Sequence, residues 1–163
     1  MKTIISLCTF FLLIASCTPI LLISESAYNE IPENSTKVVV TTNYSADSLY
    51  KTIAMILANN GYDVNENKTA LQIYTNPKTL EHSSSIKCRA NVSITDAGTL
   101  VTFIGDYGLN LEGQMKMQAF TGRSYEGFMP IKFTKNSNQR ADYCFQNLIL
   151  LAKEIKGGVI SYK

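Results

Sequence analysis

Histidine is almost missing from this chain, with His82 the single one in 163 residues. Zinc centres draw three or four ligands from His, Cys and carboxylates at workable spacing, and no such cluster occurs in the sequence. His82 itself stands in a polar stretch, Glu81-His82-Ser83-Ser84-Ser85. A catalytic base needs a fixed partner and a nucleophile, whereas this stretch reads as a solvated loop. Charge is also sparse: charged residues make up 17% of the chain, with 15 Lys and Arg against 13 Asp and Glu, and no long tract of either sign. That excludes the basic footprint of a nucleic-acid binder. A phosphate loop is missing as well, because Gly105-Asp106-Tyr107-Gly108 is not followed by Gly-Lys-Ser/Thr and a helix. Glu112 with Glu126, or Asp96 with Asp106, read as solvated surface acids rather than as paired catalytic carboxylates. The expectation is therefore a protein that is not an enzyme, has no cofactor or metal and has no nucleic-acid partner.

What the chain does have begins at its start. Lys2 supplies a short positive region, and Ile4 to Ala15 an apolar stretch of secretory-signal length. The stretch ends in Ile14-Ala15-Ser16-Cys17, where small side chains precede a cysteine. This tetrapeptide resembles the lipobox of bacterial lipoproteins. The resemblance implies cleavage before Cys17, a diacylglycerol on its thiol, and usually a further acyl chain such as palmitate on its new amino group. Two or more buried chains anchor stably where one is marginal. Ordinary signal cleavage nearby is one competing reading. An uncleaved span from Ile4 to Ile23 is the other, since about 20 apolar residues cross a bilayer; Ser6, Thr9, Ser16 and Thr18-Pro19 weaken it. Among Gram-negative lipoproteins an Asp after the lipid cysteine tends to retain the protein at the inner membrane. Thr18 in that place implies the outer membrane, and the lack of an acidic cluster after Cys17 implies a periplasm-facing domain. The expected organisation is a signal peptide over residues 1–16, a lipid-anchored tether over 17–36, polar from Ser24 onward with Pro32, and a single α+β domain over 37–163.

Within that domain, Val38-Val39-Val40-Thr41-Thr42 is β-branched and predicts a strand. Ser45 offers an N-cap oxygen, Leu49, Ile53, Ile56 and Leu57 recur at helical spacing, and Gly61 offers a left-handed stop. Tyr62 to Val64 and Ala70 to Thr75 predict a short strand pair. From Ile86 to Thr95 the chain alternates: Ile86, Cys88, Ala90, Val92 and Ile94 point one way, Lys87, Arg89, Asn91, Ser93 and Thr95 the other. Asp96-Ala97-Gly98 predicts a three-residue connection to a partner strand over Thr99 to Gly105. In that register Val101 and Phe103 share the face of Asn91 and Ser93. Residues 106–139, with Met115-Lys116-Met117 and Ile131-Lys132-Phe133 as short strands, predict an extra hairpin or a segment laid across the sheet. Ser137 or Asn138 caps a last amphipathic helix that Gly157-Gly158 stops, and Val159 to Tyr162 predicts a final strand.

Apolar stripes on both helices need cover that one face of a sheet supplies. The fold class expected is α+β, an antiparallel sheet with two helices on one face in the core order β-α-β-β-β-α. Ser45-Ala46-Asp47-Ser48-Leu49-Tyr50, Asn60-Gly61-Tyr62-Asp63-Val64 and Leu71-Gln72-Ile73-Tyr74-Thr75 carry an arrangement that resembles small lipoprotein domains of TATA-binding-protein-like or helix-grip fold. Those of the BamC-type accessory lipoprotein of the outer-membrane assembly machine are among them. Such a likeness carries fold rather than function.

With Cys8 in the apolar run and Cys17 in the lipobox, Cys88 and Cys144 remain for the domain. Both lie on inward-facing stripes. They form either a bridge, worth typically 2–4 kcal/mol, or two buried thiols acting as small apolar residues. The candidate binding surface is the sheet face away from the helices, with Tyr74, Lys87, Arg89, Asn91 and Phe103, since aromatics mixed with Arg are typical of recognition surfaces. The alternative is that residues 106–139 cover those aromatics. The functional expectation is a non-enzymatic, lipid-anchored envelope module that binds an envelope protein or the cell wall. The alternative is a carrier of a small apolar ligand in a cavity between sheet and helices.

Overall fold

The computed structural model describes residues 21–124, 127–135 and 138–163. The lipobox tetrapeptide, Ser137 and Glu126 lie outside the described residues. In chain order the elements are α1 (Glu25–Glu30), β1 (Val38–Thr42), α2 (Ala46–Asn59), β2 (Val64–Asn67), β3 (Gln72–Thr75), β4 (Lys78–Thr79), β5 (Ser84–Thr95), β6 (Gly98–Leu109), α3 (Leu111–Thr121), β7 (Met129–Pro130), α4 (Gln139–Lys153) and β8 (Val159–Tyr162). The architecture is α+β. An open antiparallel sheet runs β2-β3-β5-β6-β1-β8, with β4 added beside β5 and β7 beside β6.

The two long helices form where the sequence places caps around an apolar stripe. Ser45 Oγ accepts from the Ser48 amide at 3.3 Å at the start of α2. Leu49, Ile53, Ile56 and Leu57 line its buried face, and Gly61 takes φ +74° beyond its end. Asn138 Oδ1 accepts from the Ala141 amide at 3.1 Å and opens α4, which buries Ala141, Cys144, Phe145, Leu148, Ile149 and Ala152. Both helices cover the same sheet face. Its fully buried members include Val38, Val40, Ile73, Ile86, Ala90, Val101 and Phe103.

The β5–β6 hairpin corrects the expected register. Thr95 pairs with Gly98, Val92 with Val101, Asn91 with Thr102 and Ala90 with Phe103. The turn therefore holds two residues, Asp96 and Ala97, rather than three, and Gly98, at φ +121°, already belongs to the strand. Because side chains alternate with period two, a one-residue slip moves a whole strand to the other face. Val101 and Phe103 thus go to the helix side, while Leu100, Thr102 and Ile104 take the side of Arg89 and Asn91. Further along β6, Gly105 is required by close packing: a Cβ there would sit 2.5 Å from Ile131 Cδ1 and 3.3 Å from Leu148 Cδ1.

Residues 24–36, expected as a polar tether, instead fold onto the domain. Ile23, Tyr28, Ile31 and Ser35 are buried. The Leu22 amide donates to Gln146 Oε1 of α4 at 2.7 Å, and Tyr28 Oη donates to Asp142 Oδ2 at 3.2 Å. Asn34 and Ser35 exchange backbone bonds with Phe133 (2.7 and 2.8 Å). Ile23, Tyr28 and Ile31 are dispersed among polar residues, so an average over the stretch hides the apolar surface that drives its docking.

Residues 106–139 also differ from expectation. β6 runs on to Leu109, and Met115-Lys116-Met117 lies in a helix, α3, rather than in a strand. Met129 and Pro130 pair with β6, and Ile131 donates to the Gly105 carbonyl at 2.9 Å. This segment therefore extends the sheet beside β6 instead of crossing the face.

Candidate binding face

The side of the sheet opposite the helices is built from alternate residues of its strands. Gln72 and Tyr74 come from β3, Lys87, Arg89, Asn91 and Ser93 from β5, and Leu100, Thr102, Ile104 and Asp106 from β6, brought together by the observed registers. Tyr74 is 41% exposed, and its ring lies 5.9 Å from the Arg89 guanidinium carbon, within range of a cation–π contact. Its hydroxyl donates to Gln72 Oε1. Lys87 Nζ stands 4.2 Å from the centre of the Phe128 ring. A shallow depression of about 100 Å³ lies between these groups, lined by Tyr74, Lys87, Arg89, Ile104 and Asp106 among others. Nearby, Asn91 Oδ1 is buried and accepts no hydrogen bond.

Of the five residues expected on this face, four are here. Tyr74, Lys87, Arg89 and Asn91 share it. Phe103 does not: it is fully buried on the helix side, because the hairpin turn is one residue shorter than expected. The apolar members that take its place are Leu100 and Ile104, both half-buried, which only the correct register would have identified.

Cys88 and Cys144 are free thiols, both buried, so the bridge is not formed. Burial pushes each thiol up to about 12. The Tyr62 phenol is also raised, chiefly by its own burial and further by both cysteines. The pair therefore behaves as small apolar core residues flanking one tyrosine.

His82 lies in an exposed turn, as its polar surroundings predict. Its ring packs edge-on against Tyr143 with centroids 5.1 Å apart, and His82 and Ser83 both take left-handed backbone, φ +55° and +59°. The Leu80–Ser84 and Asn110–Ser83 backbone bonds hold that turn (2.8 and 3.1 Å). Ser84 Oγ donates to the His82 carbonyl at 3.2 Å, a turn-closing bond rather than a nucleophile–base pair. Among the described residues no group of three or more His, Cys, Asp or Glu is placed to hold a metal ion.

A second surface was not foreseen from the sequence. α3 buries Gly113 and leaves Leu111, Met115 and Phe120 in solvent, Phe120 at 88% exposure. An open groove of about 280 Å³ lies beside it, lined by Tyr107, Leu109, Met117, Met129, Asn138 and Arg140 among others. The signal that could have found α3 is its caps: Asn110 Oδ1 accepts from the Gly113 amide at 2.9 Å, and Gly122 ends the helix at φ +68°.

Fold and surface together define an α+β domain with one helix-covered and one open sheet face. No protein-family model matches the chain, and no curated protein matches it significantly. Among the described residues no helix is long and apolar enough to cross a membrane.

Proposed function

We propose that the protein is a non-enzymatic, lipid-anchored module of the bacterial cell envelope that binds a protein of that envelope through the open sheet face. The observation that carries the reading is that face: Tyr74 and Arg89 side by side, half-buried Ile104 opposite Arg89, half-buried Leu100 further along the same face, and mixed charge at Lys87 and Asp106. Exposed aromatic and arginine side chains grouped with aliphatics make the centre of many protein interfaces. Anchoring rests on the lipobox at Ile14 to Cys17, with Thr18 favouring the outer membrane and a domain facing the periplasm. Strand, helix, antiparallel strands and helix, with both long helices on one face, support a helix-grip or TATA-binding-protein-like core.

The carrier alternative draws no support from the packing. Leu49, Ile53, Leu57, Ile73, Ala90, Phe103, Phe145 and Leu148, which fill the space between sheet and helices, have no accessible surface, so no void large enough for water borders them. The deciding experiment is affinity capture of the acylated protein from native envelopes. Capture should require Cys17 for membrane fractionation and should be lost in Tyr74→Ala/Arg89→Ala while the thermal midpoint stays unchanged. Undiminished capture by that double variant would remove the open face as the binding surface.

A further inference from the structure

The anchor and the folded domain are separated by very little chain. The Leu22 amide is bonded to Gln146 of α4 and Ile23 is buried, so the fold takes hold of the polypeptide five residues after Cys17. Five residues span at most about 18 Å when fully extended. A helix of ~10–12 Å diameter stacked about 10 Å from a sheet gives a molecule roughly 20 Å thick from the outer side of α4 to the open face. An anchor that leaves beside α4 therefore cannot reach around to the open face. The residues near its exit suit a lipid surface. Leu150 is one turn beyond Gln146 and about 200° around α4 from the sheet-facing Leu148, which points it away from the sheet. Leu150 and Leu21 are 37% and 38% exposed. Lys153, exposed, lies two turns beyond Gln146 on the same stripe, where its ammonium can meet anionic headgroups.

From this we infer that the exposed C-terminal part of the outer surface of α4, with Leu150 and Lys153, together with Leu21, rests against the bilayer headgroups, and that the open sheet face is held pointing away from the membrane. The inference rests on acylation of Cys17. It deepens the proposed function, because a face turned outward meets partners across the aqueous space rather than within the same membrane. The test uses the acylated full protein in phosphatidylethanolamine/phosphatidylglycerol vesicles that carry headgroup nitroxide lipids. Leu150→Cys and Ser93→Cys variants are each labelled with bimane, the native Cys88 and Cys144 being buried. The label at position 150 should be quenched several-fold more than that at 93. Inserting about 20 Gly/Ser residues between Ile20 and Leu21, with a mean reach of roughly 25 Å, should erase the difference. Equal or reversed quenching in protein that carries fatty acid would overturn the orientation alone. Failure to incorporate labelled fatty acid would overturn the anchor reading together with the orientation.

Discussion

The two faces of the central hairpin are made from the same twenty-four residues and have opposite physical characters. On the helix side, Val92 faces Val101 and Ala90 faces Phe103 under α2 and α4; on the other, Asn91 faces Thr102 and Arg89 faces Ile104. The first face is fixed by volume, since each side chain fills space that no neighbour can give up. The second carries polar, charged and aliphatic side chains that are half-buried or exposed, available to meet something else. On the proposed reading stability resides on one face and recognition on the other, so substitutions should separate the two.

The largest expected effect is Phe103→Ala. Emptying a fully buried aromatic site costs about 3–5 kcal/mol, read as a lower urea midpoint; a loss below about 1 kcal/mol would mean that Phe103 is not in the core. Next comes pH. In the fold both thiols stay protonated up to about 12, whereas in the unfolded chain they ionise from about pH 9. Between those values the unfolded chain binds fewer protons, so stability is complete below about pH 9 and falls as pH rises, by on the order of 1 kcal/mol per pH unit per thiol. Tyr62 acts in the same direction. Urea midpoints measured at about pH 8 and about pH 10 should show the decline, and Cys88→Ala should flatten it. Both thiols should resist alkylation in the native protein and react after denaturation.

A smaller effect is expected at Gly105→Ala, where the new methyl meets Ile131 and Leu148. Overpacking costs about 1–3 kcal/mol, and Ile131→Val should restore part of it by opening room. The smallest belongs to the open face, where Tyr74→Ala or Arg89→Ala should change stability by no more than about 0.5 kcal/mol in thermal melts. A large loss there would erase the distinction between the faces.

Much of this arrangement is legible in the sequence, for particular reasons. α2, α4 and β5 each announce themselves through a cap or a period: Ser45, Asn138, and the alternation from Ile86 to Val92. The inward set of β5 is buried as that alternation requires, apart from Ile94, which is 74% exposed near the hairpin end. The hairpin register was not legible, because Asp96-Ala97-Gly98 fits both a three-residue loop and a two-residue turn followed by a glycine in the strand. That single ambiguity decided the side taken by Phe103. α3 was hidden for a different reason. Leu111, Met115 and Phe120 do not fall on one helical stripe, so no period exists to detect. The docking of residues 22–35 depends on partners 98 to 124 residues away, Phe133, Asp142 and Gln146, which no local pattern contains.

β8 has a consequence for the order in which the chain assembles. β5 and β6 are joined by two residues, so their pairing needs only a short loop closure and should form early. β8 completes the sheet by pairing Tyr162 with Val38 and Ile160 with Val40, and Lys163 exchanges backbone bonds with Lys37. This closure spans more than a hundred residues and waits for the last strand to be delivered. Until then the Val38-Val39-Val40 edge carries unpaired amides and carbonyls on a β-branched strand, the kind of edge that recruits other chains. Aggregation during synthesis should thus be greatest in the interval before β8 pairs, and a chain lacking residues 159–163 should never leave that interval.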